Sequence, residues 1–198
     1  MRQPSVLMFD LGGVLVENVG FESFNALLPS VVPMEELKTQ WLSSPAVRLF
    51  EAGKCTSQVF ASGVVAEWNL PLTPDAFLDA FTYWPKGLYA GAAELLGTLR
   101  GRFKLACLSN SNEIHWQRFG GFRDHFDLSL SSHVLGEVKP DARCFTRALQ
   151  ECNAGAADVA FFDDSLTNIA GARAVGIEAI HVNGLSELRQ ALAARGWI

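Results

Sequence analysis

The sequence predicts an α/β fold: a doubly wound parallel sheet carrying a small helical domain inserted after its first strand. Three observations predict it. Buried-strand runs recur at residues 5–9, Phe103–Leu108 and Val159–Phe162, with the near-continuous apolar character of strands covered on both faces. Segments of helical spacing separate the later strands, which implies crossovers between parallel neighbours. Between Val16 and Leu88 the texture changes to consecutive helical segments.

Taken in order, residues 5–9 form the first strand, broken by Gly12-Gly13. Helical spacing follows over Glu35–Leu42, Ser57–Trp68 and Pro74–Tyr83, with start signals such as Thr73-Pro74-Asp75. The inserted domain is therefore placed at 16–88, and the α/β core at 1–15 and 89–198. In the core, Gly91–Leu99 reads as a helix, Phe103–Leu108 as a strand and Asp127–Leu130 as a short strand. A helix over Ala142–Cys152, a strand over Asp158–Phe162 and a helix over Ser165–Val175 come next. A strand at Glu178–Val182 and a helix from Ser186 to Arg195 complete the chain.

Polar stops end these runs. Asp10 closes the first strand before a glycine pair, and Ser109-Asn110 follow the strand ending at Leu108. Lys139-Pro140 precede a helix, and Asp163-Asp164 follow Val159–Phe162. In open α/β sheets ligands bind outside the carboxyl ends of the strands, where strand order reverses. Each stop alone also has a plain structural reading: a turn aspartate, an N-cap serine, a helix entrance with a solvated lysine. Two adjacent acids repel unless something positive lies near, and an all-oxygen, strongly negative donor set suits Mg²⁺. Together the stops describe one site for a phosphate and a divalent cation. In it, Lys139 and the metal offset repulsion between an attacking carboxylate and a phosphate dianion.

These segments resemble the haloacid dehalogenase superfamily in its phosphatase branch. The matching stretches are Phe9-Asp10-Leu11-Gly12-Gly13-Val14-Leu15, Leu108-Ser109-Asn110, Lys139-Pro140, and Phe162-Asp163-Asp164-Ser165 followed by Asn168, Gly171-Ala172 and Gly176-Ile177. The pattern is similar to that of bacterial sugar-1-phosphate phosphatases and of the phosphatase domain of soluble epoxide hydrolases. The resemblance implies a Rossmann-like core with the helical insertion as a cap. It implies Asp10 as nucleophile, forming an aspartyl-phosphate, and Ser109 and Asn110 gripping the phosphoryl oxygens. Lys139 steadies nucleophile and phosphate. Asp10, the Gly12 carbonyl and Asp164 hold Mg²⁺, with Asp163 as a second or water-mediated ligand. One departure stands out. Most family phosphatases carry a second aspartate, a general acid and base, where this chain has Gly12. Three resolutions are open: Glu17 or a residue of the cap moves that proton, the leaving group needs little help, as an anomeric hydroxyl does, or turnover is slow.

Other features set bounds. At 198 residues and a formal net charge of −5, without Lys/Arg runs, neither nucleic acid nor an anionic membrane is an expected partner. A small phosphate ester is expected, with the protein a monomer or weak homo-oligomer. Cys55, Cys107, Cys144 and Cys152 make no C-x-x-C pair, so reduced thiols in the cytoplasm are expected. No leader pattern or membrane-length apolar stretch is visible. His115, His125, His133 and His181 lack metal-ligand spacing; His115 and Trp116 follow the candidate phosphate loop. Trp84 is a hinge or pocket-wall candidate, and Arg48, Glu51 and Lys54 cluster around Gly53 in the insertion. Two alternatives stay open: a 2-haloacid dehalogenase, whose chemistry needs no metal, and a catalytically weak binding protein on the same fold.

Overall fold

The computed structural model describes residues 3–118 and 122–198. Its strands are β1 (Val6–Phe9), β2 (Val16–Asn18), β3 (Pro85–Leu88), β4 (Lys104–Ser109), β5 (Leu128–Ser131), β6 (Val159–Asp163) and β7 (Glu178–His181). Five of them form a parallel sheet in the order β5-β4-β1-β6-β7. The chain starts at the centre, winds out through β4 and β5, then crosses back to β6 and β7. The switch point therefore flanks β1 on both sides, and a crevice opens at its carboxyl end. Register aligns the strand ends there: Phe9 lies between Cys107 and Phe162, and the Asp10 amide donates to the Phe162 carbonyl at 2.8 Å.

Helices α1 (Gly20–Asn25), α2 (Met34–Ser43), α3 (Pro45–Glu51), α4 (Ser57–Glu67) and α5 (Pro74–Thr82) build the insertion. Ser44, Thr56 and Thr73 each accept a hydrogen bond from the backbone N–H three residues on, capping α3, α4 and α5 as short polar side chains do at helix starts. The helices share an aromatic core of Phe24, Trp41, Phe50, Phe60, Phe77 and Phe81. Each such ring contributes about 1.5–3 kcal/mol by leaving water, which lets so small a bundle hold its shape. The core domain adds α6 (Ala92–Leu99), α7 (Glu113–Arg118), α8 (Ser132–Leu135), α9 (Ala142–Cys152), α10 (Leu166–Ala174) and α11 (Gly184–Ala193). They cover two apolar layers, one on each face of the sheet.

One feature had no signal in the sequence: the insertion is joined to the core by an antiparallel ribbon of β2 and β3, too short to show any periodicity. Ser109-Asn110 precede α7, which begins at Glu113. The four cysteines are free thiols. Among the described residues no helix is long and apolar enough to cross a membrane.

Candidate active site

The carboxyl ends of β1, β4 and β6 deliver Asp10, Ser109-Asn110 and Asp164 to one cavity of about 470 Å³ between sheet and insertion, with Asp163 buried beside it. Asp10, Asp163 and Asp164 each place a carboxylate oxygen within 4.8 Å of the others. Lys139, 1 % exposed, enters from the loop before α9 and lies between two of them. Its Nζ is 3.0 Å from Asp10 Oδ1 and 2.7 Å from Asp163 Oδ2. Thus four residues separated by up to 154 positions in the chain converge.

The partners divide the acids. Asp163 is fully buried and heavily bonded: Oδ1 accepts from the Ser165 amide at 2.8 Å, and Asn168 Nδ2 donates to both of its oxygens at 3.0 and 3.1 Å. It is placed to hold Lys139. Asp164 sits at the rim, its carbonyl 3.0 Å from His181 Nε2. Lys38 of α2 reaches across from the insertion to donate to Asp164 Oδ2 at 2.9 Å. Gly13 is essential to this packing. It has φ +75°, and a Cβ there would stand 2.7 Å from Asp164 Oδ2, so only glycine fits both the backbone and the carboxylate.

Electrostatics follow. Burial, with the nearby Asp163 and Asp164 charges, outweighs Lys139 and lifts Asp10 to about 7. Asp163 is raised too, chiefly by burial. Burial alone would lower Lys139, but the carboxylates of Asp10 and Asp163 hold it above its usual value. Three carboxylates against Lys139 and Lys38 leave a local charge of −1 when all are ionised. A hard divalent cation would reverse that sign and make the site attractive to a phosphate dianion. The orphaned polar atoms agree. Among the described residues, Trp84 Nε1, Ser111 Oγ and Asn168 Oδ1 are buried without a partner, and all three residues line this cavity. Such atoms ordinarily find partners, which a bound ligand or its water would supply.

The donor set fits Mg²⁺ through Asp10 and Asp164, with Gly12 also on the cavity wall. Binding requires ionised Asp10. Since its metal-free value is about 7 against an ordinary 3.8, the cation must displace a proton below neutrality. The rise in melting temperature on adding Mg²⁺ is therefore expected to be small near pH 5.5 and to grow as pH rises through 7. A pH-independent shift in scanning fluorimetry would place the cation elsewhere.

Of the remaining candidates, Ser109 is buried and lines the cavity. Asn110 also lines it, but its side chain is committed to the Lys139 backbone: Nδ2 donates to the carbonyl at 2.9 Å and Oδ1 accepts from the amide at 2.8 Å. Asn110 thereby fixes the loop that carries Lys139. His115 is buried, with Nε2 donating to the Phe81 carbonyl at 2.8 Å and Nδ1 facing Asn112 Nδ2 at 3.3 Å. Burial lowers it to about 4. Trp84 lines the cavity wall and packs among the aromatic rings of the insertion, whereas Trp116 packs against the sheet core. Glu17 is exposed on β2. The cluster around Gly53 separates: Arg48 pairs with Asp141 of the core, Glu51 faces the cavity and Lys54 is exposed. Lys38 had no signal in sequence, because a lysine on an amphipathic helix reads as solvated until the helix is docked.

Known proteins resemble this chain in sequence and in fold. A sesquiterpene phosphatase from Aspergillus oryzae is 26% identical over 92% of this chain and 94% of its own length. A phosphoglycolate phosphatase from Chromobacterium violaceum is 32% identical, over 48% of this chain and 45% of its own. Among solved structures, a HAD family enzyme of Bacteroides thetaiotaomicron in complex with magnesium superposes with TM-score 0.71 at 21% identity, covering 92% and 94% of the two chains. An L-2-haloacid dehalogenase superposes with TM-score 0.62 at 22% identity, covering 92% and 85%. The family model for haloacid dehalogenase-like hydrolases matches residues 4–176, and the chain belongs to that family as a hydrolase.

Proposed function

We propose that this protein is a Mg²⁺-dependent phosphomonoesterase of small phosphorylated metabolites, sugar phosphates first among them. The observation that carries this reading is the convergence of Asp10, Asp163 and Asp164 on one another, with the buried Lys139 ammonium between the first two, beside a small-molecule-sized cavity. Asp10 is the nucleophile: its carboxylate attacks phosphorus, the ester oxygen leaves, and water then hydrolyses the aspartyl-phosphate. Lys139 orients Asp10 and neutralises it against the incoming dianion. Ser109 and the backbone N–H groups of Asn110 and Asn112, which line the cavity, would receive phosphoryl oxygens, the Ser111 amide being donated to Ser132 Oγ. Bound Mg²⁺ would supply charge for the phosphoryl group. Release of halide from a 2-halo acid has no use for so dense an acid cluster, which disfavours the dehalogenase reading.

A second substrate reading has its own support. Phe21, Trp41, Phe81 and Trp84 form much of the wall contributed by the insertion, and aromatic walls suit an apolar body as well as a sugar face. The A. oryzae relative, matched over nearly its whole length, is named for sesquiterpenes. A phosphate-release screen should therefore include sugar phosphates, nucleotides, phospho-acids and prenyl monophosphates, each with Mg²⁺ and with chelator. Turnover of at least one class with Mg²⁺, abolished by chelator, is expected. In the same assay Asp164→Ala should raise half-saturating Mg²⁺ by at least about tenfold, since even an outer partner of a metal ligand is worth ~10–100-fold. An unchanged titration would move the ligand role from Asp164 to Asp163.

A further inference from the structure

The scheme above lacks a proton for the leaving oxygen. Position 12 cannot provide one, and the surroundings have closed over it: a Cβ on Gly12 would sit 3.2 Å from Asn18 Nδ2, whose side chain is held by the Gly20 amide donating to its Oδ1 at 2.8 Å. The other titratable groups on the cavity wall are already engaged or unsuited. Asp10 attacks. Asp164 is paired with Lys38, which the carboxylate holds in its charged form against the effect of burial. Both ring nitrogens of His115 are taken. Glu22 is exposed, and the Tyr89 phenol is raised by burial above an already high value.

Glu51 remains. It is the last residue of α3 and lines the same cavity as Asp10 and Lys139. Trp41 Nε1 lies 3.5 Å from Oε1, a long contact that orients the carboxyl on the cavity wall. The turn after it is pinned to the core: Gly53, φ +66°, lies so close that a Cβ there would meet the His133 carbonyl at 2.4 Å. Arg48, one turn earlier, pairs with Asp141 beside the Lys139 loop. These two anchors hold Glu51 over the site.

We propose that Glu51 is the general acid and base of the reaction, a role that rests on the phosphomonoesterase reading. As Asp10 attacks and the P–O ester bond breaks, the Glu51 carboxyl proton passes to the departing oxygen, giving the alcohol. The resulting carboxylate then takes a proton from the water that attacks phosphorus, so inorganic phosphate, free Asp10 and protonated Glu51 are regenerated. The charged groups acting on Glu51 are Lys139 and Arg48, and the remaining ionisable groups on the cavity wall are those named above. Burial outweighs them and lifts Glu51 to about 7, where a carboxyl can both give and take a proton near neutrality.

The test is a leaving-group comparison with a matched pair, p-nitrophenyl phosphate and 2-phenylethyl phosphate. Nitrophenolate leaves without protonation and phenylethoxide does not. Glu51→Gln is expected to lose ~10²–10⁴-fold in first-turnover rate on the alkyl ester, and at least about tenfold less on the aryl ester. With the aryl ester it should show a burst, because the phosphoenzyme then hydrolyses slowly. The fall of the wild-type alkyl-ester rate above pH 7 should vanish in the variant. The aryl-to-alkyl ratio is internal to each preparation, so partial unfolding cancels, and Glu51→Asp serves if the Gln variant does not fold. Equal loss on both esters, or no loss, overturns the proposal and makes Glu51 a binding or packing residue. Wild-type protein that releases phosphate from neither ester nor from any class in the screen above overturns the phosphomonoesterase reading, and the role of Glu51 falls with it.

Discussion

Asp10→Asn is expected to cut turnover by ~10⁴–10⁶-fold, the scale on which removal of a covalent nucleophile acts, or about 5–8 kcal/mol of transition-state stabilisation. Asparagine has the same shape, so the strand should not notice the change. The Asp10 amide still donates to Phe162, and β1 remains buried between β4 and β6. Only the attacking oxygen anion is lost. Burial already disfavours the charge at this position, so the variant should melt within a few degrees of wild type. Phosphate-release kinetics would measure the loss. Acid-quenched mass spectrometry would show a phosphoryl adduct on the Asp10 peptide in wild type and none in the variant. A near-normal rate, or an adduct on the peptide carrying Asp163 and Asp164, would remove Asp10 from the nucleophile role.

Asp10, Lys139, Asp163 and Asp164 were legible in sequence for one reason. Each interrupts an apolar run or precedes a helix, at a place where doubly wound topology must deliver it to the same crevice. Topology could not say how the acids divide the work. Asp163 and Asp164 are neighbours in sequence, yet one is sealed against Lys139 and Asn168 and the other meets Lys38 at the rim. That division arises because Asp163 is the last residue of β6 while Asp164 lies beyond it. The insertion was legible as a helical cap, with Trp84 as a wall candidate and Glu51 in a polar cluster, but which of its side chains face the acids was not. Lys38 acquires meaning only after docking, and the docking elements are short: a three-residue strand, a ribbon partner containing Pro85 and Gly87, and the turn at Gly53. Asn110 shows the opposite case. A polar residue beside a phosphate loop suggested ligand contact, while the fold uses its amide to clasp the Lys139 backbone.

Lys139→Met is expected to damage stability as well as activity. The ammonium is 1 % exposed and is shared by Asp10 and Asp163. Methionine fills similar volume but leaves a buried acid cluster without its central positive charge. Removing one partner of a buried ion pair costs about 3–5 kcal/mol, roughly 6–20 °C in melting temperature for a chain of this size. The pH dependence has a definite sign. With the ammonium gone, Asp10 and Asp163 in the folded state hold their protons still more tightly than in the unfolded chain, where the ordinary value is 3.8. A carboxyl raised in this way binds more protons folded than unfolded, so its penalty is absent at low pH and accumulates as pH rises above 3.8 toward the folded value. The melting-temperature deficit of Lys139→Met should therefore be small near pH 4 and large at pH 8. Mg²⁺ should restore more of it than it adds to wild type, because the cation brings positive charge to the same carboxylates. Lys139→Arg should not restore activity, since the wider planar guanidinium cannot occupy the space of a compact ammonium between the two acids. A deficit independent of pH would mean that lost packing, and not the uncompensated carboxylates, sets the cost. That result would break the link between Lys139 and the charge balance on which phosphate binding here depends.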